Sequence, residues 1–118
     1  MSTMPFLSLI VPVYDEEDNL KALHKAIQEA LVEHDFEVIY VNDGSKDGSA
    51  QVLEDIARLD IRARIVHFVR NYGQTAALTA GIRMARADLL VTLDADLQND
   101  PSDIPMMLTH LDDADVVC

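Results

Sequence analysis

Apolar and polar positions along this chain switch repeatedly between a continuous run and a helical period. Leu7-Ser8-Leu9-Ile10-Val11-Pro12-Val13 is nearly all apolar, the pattern of a strand covered on both faces. Pro12 cannot donate to a ladder and marks the end of that strand. Asp15 to Asn19 is polar and acidic, as suits a helix N-terminus. Leu20, Leu23, Ile27, Ala30 and Leu31 then recur at helical spacing to about His34. Phe36 to Val41 predicts a second strand, ended by the turn residues Asn42-Asp43-Gly44-Ser45. Lys46-Asp47-Gly48-Ser49 continues that turn and can cap a helix carrying Val52, Leu53, Ile56 and Ala57. A third strand is expected over Ile65 to Val69, then a loop, Arg70-Asn71-Tyr72-Gly73. The Ala-rich stretch Gln74 to Arg86 predicts a helix with a small-residue face. Leu89 to Leu93 predicts a fourth strand. Pro101 suits the first turn of a last helix reaching about Leu111, and Asp115 to Cys118 reads as a strand just beginning. The expectation from that ending is the front part of a longer protein.

This β-α-β-α-β-α-β-α-β order predicts one α/β domain, a Rossmann-like three-layer sandwich with a mostly parallel sheet. In such sheets ligands bind outside the carboxyl ends of the strands. The chemically suggestive residues fall there: Pro12, Tyr14, Asp15 and Glu16 after the first strand, Asp43 after the second, Arg70, Asn71, Gly73 and Gln74 after the third. After the fourth come Asp94, Asp96 and Gln98. Asp94 and Asp96 stand at i and i+2 of an extended chain, on one face and about 6–7 Å apart at their Cα atoms. Two carboxylates there repel each other unless a cation sits between them. A hard divalent ion, Mg²⁺ or Mn²⁺, takes oxygen ligands and leaves positions for substrate phosphates. Gln98 adds a neutral amide suited to orienting a ligand or a metal-bound water.

Composition narrows the partners. With 118 residues, 49% of them hydrophobic, the chain is long enough for a real core. Its formal charge of −12 argues against nucleic acid and against electrostatic adhesion to an anionic membrane. A phosphate-bearing ligand would need a metal or helix N-termini. Cys118 is the single cysteine, so no internal disulfide forms and a reducing compartment fits. No apolar run approaches the ~20 residues of a membrane span, and the start lacks the basic and apolar regions of a signal peptide. The Rossmann dinucleotide fingerprint, the P-loop and the G-x-S-x-G elbow are all absent. His24, His34, His67 and His110 show no metal-ligand spacing.

Four blocks, VPVYDEEDNL, VNDGSKDGS, RNYGQTAALTAG and LDADLQNDP, in this order and spacing, resemble glycosyltransferase family 2. Within it they resemble the polyprenyl-phosphate branch, the dolichol-phosphate mannose synthase-like enzymes. The likeness runs from Leu7 to about Pro105 and departs at Asp15, where the family more often has Asn; the added charge is expected to weaken nucleotide binding there. The resemblance implies the A-type nucleotide-diphospho-sugar transferase fold, truncated here to the donor half. It implies that Pro12, Tyr14 and Glu16 line the base and ribose pocket and that Asp43 accepts a hydrogen bond from the base. It implies that Gly73 and Gln74 lie beside the nucleotide. Asp94 and Asp96 would hold the Mg²⁺ or Mn²⁺ that bridges the diphosphate, with Gln98 close by and Asp96 as the catalytic carboxylate. The implied reaction is inverting transfer of a sugar from a UDP- or GDP-sugar to an acceptor, a polyprenyl phosphate, at the cytoplasmic face of a membrane. The acceptor half and membrane helices would lie beyond Cys118. The isolated chain, with an open sheet edge, is expected to self-associate and to be inactive by itself.

Plainer readings stand beside these. Asp43 also suits stabilising its own Asn-Asp-Gly turn, Tyr14 packing, Glu16 helix N-terminal charge, Gln74 capping its helix, and Gly73 ending a loop. A non-catalytic nucleotide-binding module of the same fold is the alternative function. A phosphoryl-transfer enzyme using its D-x-D as nucleophile and acid is disfavoured, since that pair would follow the first strand rather than the fourth.

Overall fold

The computed structural model describes residues 5–96, Pro101 and the short strand at 116–117. The elements are β1 (Leu7–Val13), α1 (Leu20–Ala30), β2 (Phe36–Asn42), α2 (Ser49–Leu59), β3 (Ala63–His67), α3 (Gln74–Met84), β4 (Leu89–Thr92) and β5 (Val116–Val117). Their strands form one sheet in the order β3-β2-β1-β4-β5, every pair parallel. The helix expected after Pro101, with Gln98, lies outside the described residues.

Strand alternation builds the layers. Leu7, Leu9, Val11 and Val13 of β1 and Val38 and Tyr40 of β2 face one way. They pack with Leu20, Leu23 and Ile27 of α1 and Leu53 and Ile56 of α2. Ile10, Ile39 and Val41 face the other way, against Ala77 of α3. That second interface is close: a Cβ on Gly81 would stand 2.4 Å from the Ile10 side chain. Small residues on α3 therefore let the helix settle on the sheet, and each fully buried Leu or Ile contributes roughly 1.5–3 kcal/mol of transfer free energy. The outcome is the three-layer α/β sandwich that the alternation predicts.

The first strand spans Leu7–Val13 as its apolar run reads, with Pro12 inside it. Other boundaries differ from the sequence reading: the second strand takes in Asn42 and the fourth stops at Thr92. The first helix stops at Ala30 rather than His34: Leu31 makes the last i→i−4 bond, to Ile27 O, and the His34 N–H then closes a turn on Leu31 O as the chain heads into β2. The third strand lies two residues earlier than Ile65 to Val69. Pairing with Val38 to Asn42 of β2 draws in Ala63 and Arg64, and the Arg64 guanidinium reaches Glu37 and the Met84 carbonyl. Val69 is left 91% exposed. The third helix ends at Met84, since Arg86 is pulled out of it by its N–H bond to Glu37 Oε2 at 2.7 Å.

β1 is the switch point. The chain steps outward from it through β2 to β3, then returns to β4 on its other side. Loops leaving the carboxyl ends of β1 and β4 therefore diverge and open a crevice between them.

Candidate functional site

The loops after β1 and β2 are stitched together by short polar side chains. Asp15 N–H donates to Ser45 Oγ at 3.0 Å, and Asp15 Oδ1 accepts from the N–H groups of Lys46 (2.7 Å) and Asp47 (3.3 Å). Glu16 N–H donates to Ser49 Oγ and Glu17 N–H to Asp47 Oδ2. Asp15 adopts φ +52°, a left-handed conformation that Asp and Asn tolerate better than most residues. Its carboxylate points into the neighbouring loop, and it is not among the residues lining the cleft.

The loop after β3 is anchored on Asp43. Tyr72 N–H donates to Asp43 Oδ1 at 2.7 Å; Gly73 N–H and Asn71 Nδ2 donate to Oδ2, each at 3.0 Å. Gly44, at φ +68°, lets that loop approach: a Cβ there would lie 2.2 Å from the Arg70 carbonyl carbon. Gly73 differs, since its φ of +101° needs glycine while a Cβ would meet nothing within 4 Å. Asp43 is therefore an anchor for the loop after β3 as well as a cleft residue; its own turn is closed instead by the Ser45 N–H on Asn42 Oδ1.

Beyond β4 the alternation continues. Leu93 and Ala95 are buried, while Asp94 and Asp96 are exposed on one face. A cleft of about 340 Å³ lies between these loops, lined by Pro12, Tyr14, Glu16, Asp43, Gly73, Gln74, Asp94 and Asp96, with Val13, Asn71 and Ala95. Of the residues nominated at the strand ends, Pro12, Tyr14, Glu16, Asp43, Asn71, Gly73, Gln74, Asp94 and Asp96 line this cleft, whereas Asp15 and Arg70 do not. Val13 and Ala95 gave no chemical signal, and Asn71 was visible only as a polar residue in a Gly-containing loop. Arg70 stands apart, its guanidinium 5.1 Å from the Tyr72 ring centre.

The electrostatics of the cleft are one-sided. Glu16, Asp43, Asp94 and Asp96 line it, and no Lys or Arg does among the described residues. Nor do three or more His, Cys, Asp or Glu side chains among them converge into a ready-made metal cage. Two exposed carboxylates at i and i+2 offer hard oxygen donors and an incomplete coordination shell. That donor set fits Mg²⁺ or Mn²⁺ completed by ligand phosphates better than a closed structural site.

Comparison with known proteins shows the chain's family and fold. The family model described as glycosyl transferase family 2 matches residues 8–118. The chain is 44% identical over 107 residues to an undecaprenyl-phosphate 4-deoxy-4-formamido-L-arabinose transferase of Pseudomonas fluorescens, a match covering 88% of this chain and 32% of that protein. It thus spans about a third of the length of this curated relative. Its fold overlays on a mannosyltransferase of Pyrobaculum calidifontis solved with GDP-Man and Mn²⁺, at a TM-score of 0.69 and 25% identity, over 80% of this chain and 28% of that one. It overlays also on residues 1–349 of Staphylococcus aureus TarS solved with UDP-GlcNAc, at a TM-score of 0.72 over 87% and 30% of the two chains; at 21% identity that likeness speaks to fold alone.

Proposed function

This chain belongs to glycosyl transferase family 2, and from that premise we propose that it forms the donor-binding part of an enzyme transferring a sugar from a nucleoside-diphosphate sugar to a polyprenyl phosphate. The observation that carries the reading is the cleft itself, with carboxylates from β1, β2 and β4 at the carboxyl edge of the sheet and no lining Lys or Arg among the described residues. The ends of β2 and β4 are separated by β1, about 10 Å across two strand spacings. A nucleotide laid along this edge puts its base at Asp43, its ribose over Pro12, Tyr14 and Glu16, and its diphosphate at Asp94 and Asp96. Gly73 and Gln74 flank it from the N-terminus of α3, where backbone N–H groups favour an anion.

Asp94 and Asp96 would hold Mg²⁺ or Mn²⁺, with Gln98 as a neighbour outside the described residues, and the cation supplies charge stabilisation to the departing diphosphate. Asp96 is the carboxylate whose loss is expected to cost most. A lipid-phosphate acceptor brings an oxygen that is already anionic, so positioning carries more of the barrier reduction than a base does. Attack opposite the leaving group inverts the anomeric centre. The acceptor-binding part and any membrane-spanning helices belong to the remaining length that the curated relatives have; among the described residues no helix is long and apolar enough to cross a membrane. The reaction is proposed to run at the cytoplasmic face of a membrane. The isolated chain is proposed to self-associate through its outer strands β3 and β5; a monomeric mass at high concentration would contradict this.

The test is transfer of labelled sugar to a polyprenyl phosphate by the complete gene product. Transfer is expected to stop with EDTA, to return with Mn²⁺ or Mg²⁺, and to be lost in a folded Asp96→Ala variant. Undiminished transfer in that variant would leave a cleft that binds without catalysing.

A further inference from the structure

Asn42 and His67 are register partners on the last rung between β2 and β3. Asn42 is 3% exposed, and its amide works in two directions. Oδ1 lies 3.1 Å from the Ser45 nitrogen, and Nδ2 lies 3.1 Å from His67 Nδ1. A backbone N–H only donates, so Oδ1 faces Ser45 and Nδ2 faces the imidazole. His67 Nδ1 therefore accepts. The ring proton is left on Nε2, which donates to Glu54 Oε2 of α2 at 2.8 Å. One neutral tautomer satisfies every member of this chain of bonds. Glu54 is the one carboxylate within 4 Å of the ring nitrogens among the described residues. On α2, Asp55 and Arg58 pair with each other. On β2 the facing group is the neutral Asn42, and on β3 itself the charged Arg64 is turned to Glu37 and the Met84 carbonyl.

Resting on the donor-site reading above, we infer that His67 is a positioning residue for the cleft: its neutral form holds the turn after β2 closed, and its protonation opens that turn. A second ring proton goes on Nδ1, against the hydrogens of Asn42 Nδ2. Two donors face to face beside a buried amide are unfavourable. The Asn42 amide relieves this by turning over and giving Oδ1 to the imidazolium, and the Ser45 N–H then loses its acceptor. The turn matters for what it carries. Asp43, the next residue, lines the cleft. Ser45 Oγ accepts the Asp15 N–H at 3.0 Å, which ties down the loop that brings Tyr14 and Glu16 to the same cleft. Opening the turn loosens both loops, so donor affinity falls as pH drops through the range in which histidine titrates. His67 is not among the residues lining the cleft and acts only through Asn42.

The experiment is equilibrium binding of UDP or GDP, whichever binds, in Mn²⁺ to the complete gene product from about pH 8 to about pH 5.5. Beside it runs hydrogen exchange of residues 42–47 without nucleotide. Titration of the nucleotide, the cleft carboxylates and the other histidines is common to all proteins compared, so differences between them report His67. His67→Asn puts a side-chain oxygen where Nδ1 accepts and takes up no proton. Affinity in the unmodified protein should fall about five- to tenfold further across the range than in His67→Asn. Asn42→Asp keeps an acceptor for Ser45 and offers its second oxygen to a protonated Nδ1, so it too should lose the additional fall. Protection of the Ser45 amide, corrected for the intrinsic effect of pH, should drop with the same midpoint while β1 stays protected, and should persist in His67→Asn. Equal pH profiles in the unmodified protein and His67→Asn would overturn the inference. So would Ser45 protection that is constant, or that is lost only in step with β1. If the variants fail to fold, the exchange profile of the unmodified protein decides alone. Binding of neither nucleotide at any pH sinks the donor-site reading, while the exchange profile still judges the His67 turn.

Discussion

At the amino end of the sheet Glu37, 1% exposed, accepts hydrogen bonds from Ser8 Oγ and the Arg86 N–H on one oxygen and from Arg64 and Arg86 guanidinium groups on the other. At the carboxyl end of the same sheet, Asp94 and Asp96 stand exposed beside a cleft that no Lys or Arg lines among the described residues. Glu37 is a single carboxylate held by several donors, whereas Glu16, Asp43, Asp94 and Asp96 together line the cleft. At the first the negative charge is neutralised from within the chain and ties β1, β2, β3 and the end of α3 together. At the second the two carboxylates are solvent-exposed and face a cleft. The difference teaches that an acidic residue in this fold is read by its partners, since charge by itself marks neither a scaffold nor a site.

Breaking each end should therefore do different things. Asp96→Ala is expected to have the largest functional effect, a fall in transfer of about a hundredfold or more, with an unchanged melting temperature; activity assay and calorimetry on one preparation check both. Glu37→Ala should do the reverse. It leaves Arg64 without its buried partner, costing about 3 kcal/mol of stability in a denaturant titration, while nucleotide affinity of the molecules still folded stays the same.

A pH titration sharpens the contrast. Burial raises Glu37, but the hydrogen bonds from Ser8, Arg86 and Arg64 outweigh it and hold its pKa below the ordinary 4.5. His24, between Tyr40 OH at 2.7 Å and Asp60 at 2.9 Å, is pushed below its ordinary 6.5 by burial, against the pull of Asp60. Asp60 is held ionised and accepts only, so His24 donates from Nε2 and accepts the Tyr40 hydroxyl at Nδ1. Both groups have depressed folded values, so the folded chain binds fewer protons than the unfolded one. Stability is full above pH 6.5, falls as pH drops below about 6.5 through His24, and falls again below about 4.5 through Glu37. Melting temperatures from pH 8 to 4 should decline in those two stages, and Tyr40→Phe should shift the first stage. A flat profile across pH 6.5 would refute the His24 part.

The smallest effect belongs to Asp15. Its carboxylate accepts the Lys46 and Asp47 N–H groups and lies outside the cleft lining. Asp15→Asn keeps an acceptor and tolerates the same positive φ, so stability should change by less than about 1 kcal/mol. Nucleotide affinity should change by less than about twofold by calorimetry. The departure from the family pattern at this position is then a matter of loop geometry.

β1 and β2 were legible because both of their faces are buried and so read as unbroken apolar runs. β3 was read two residues late because Arg64 interrupts the pattern, and its partners Glu37 and the Met84 carbonyl are 27 and 20 positions away. The cleft was legible through strand ends, where Pro12, Asp43 and Asp94 fall whatever the details of packing. The occupation of Asp43 was not legible, because its three donors arrive from 28 to 30 residues downstream. Nor was the direction of Asp15, which only the pairing of two loops determines. Gln98 and the helix expected after Pro101 lie outside the described residues.

The central claim is that the carboxylates at the carboxyl edge bind a nucleoside diphosphate through a divalent cation. Titration calorimetry of the complete gene product with UDP, in Mn²⁺ and in EDTA, tests it most directly when repeated on Asp94→Ala and Asp96→Ala. Binding in Mn²⁺ is expected to disappear in EDTA and in both variants, with all three proteins melting alike. Binding of equal strength in EDTA, or in either variant, would contradict it.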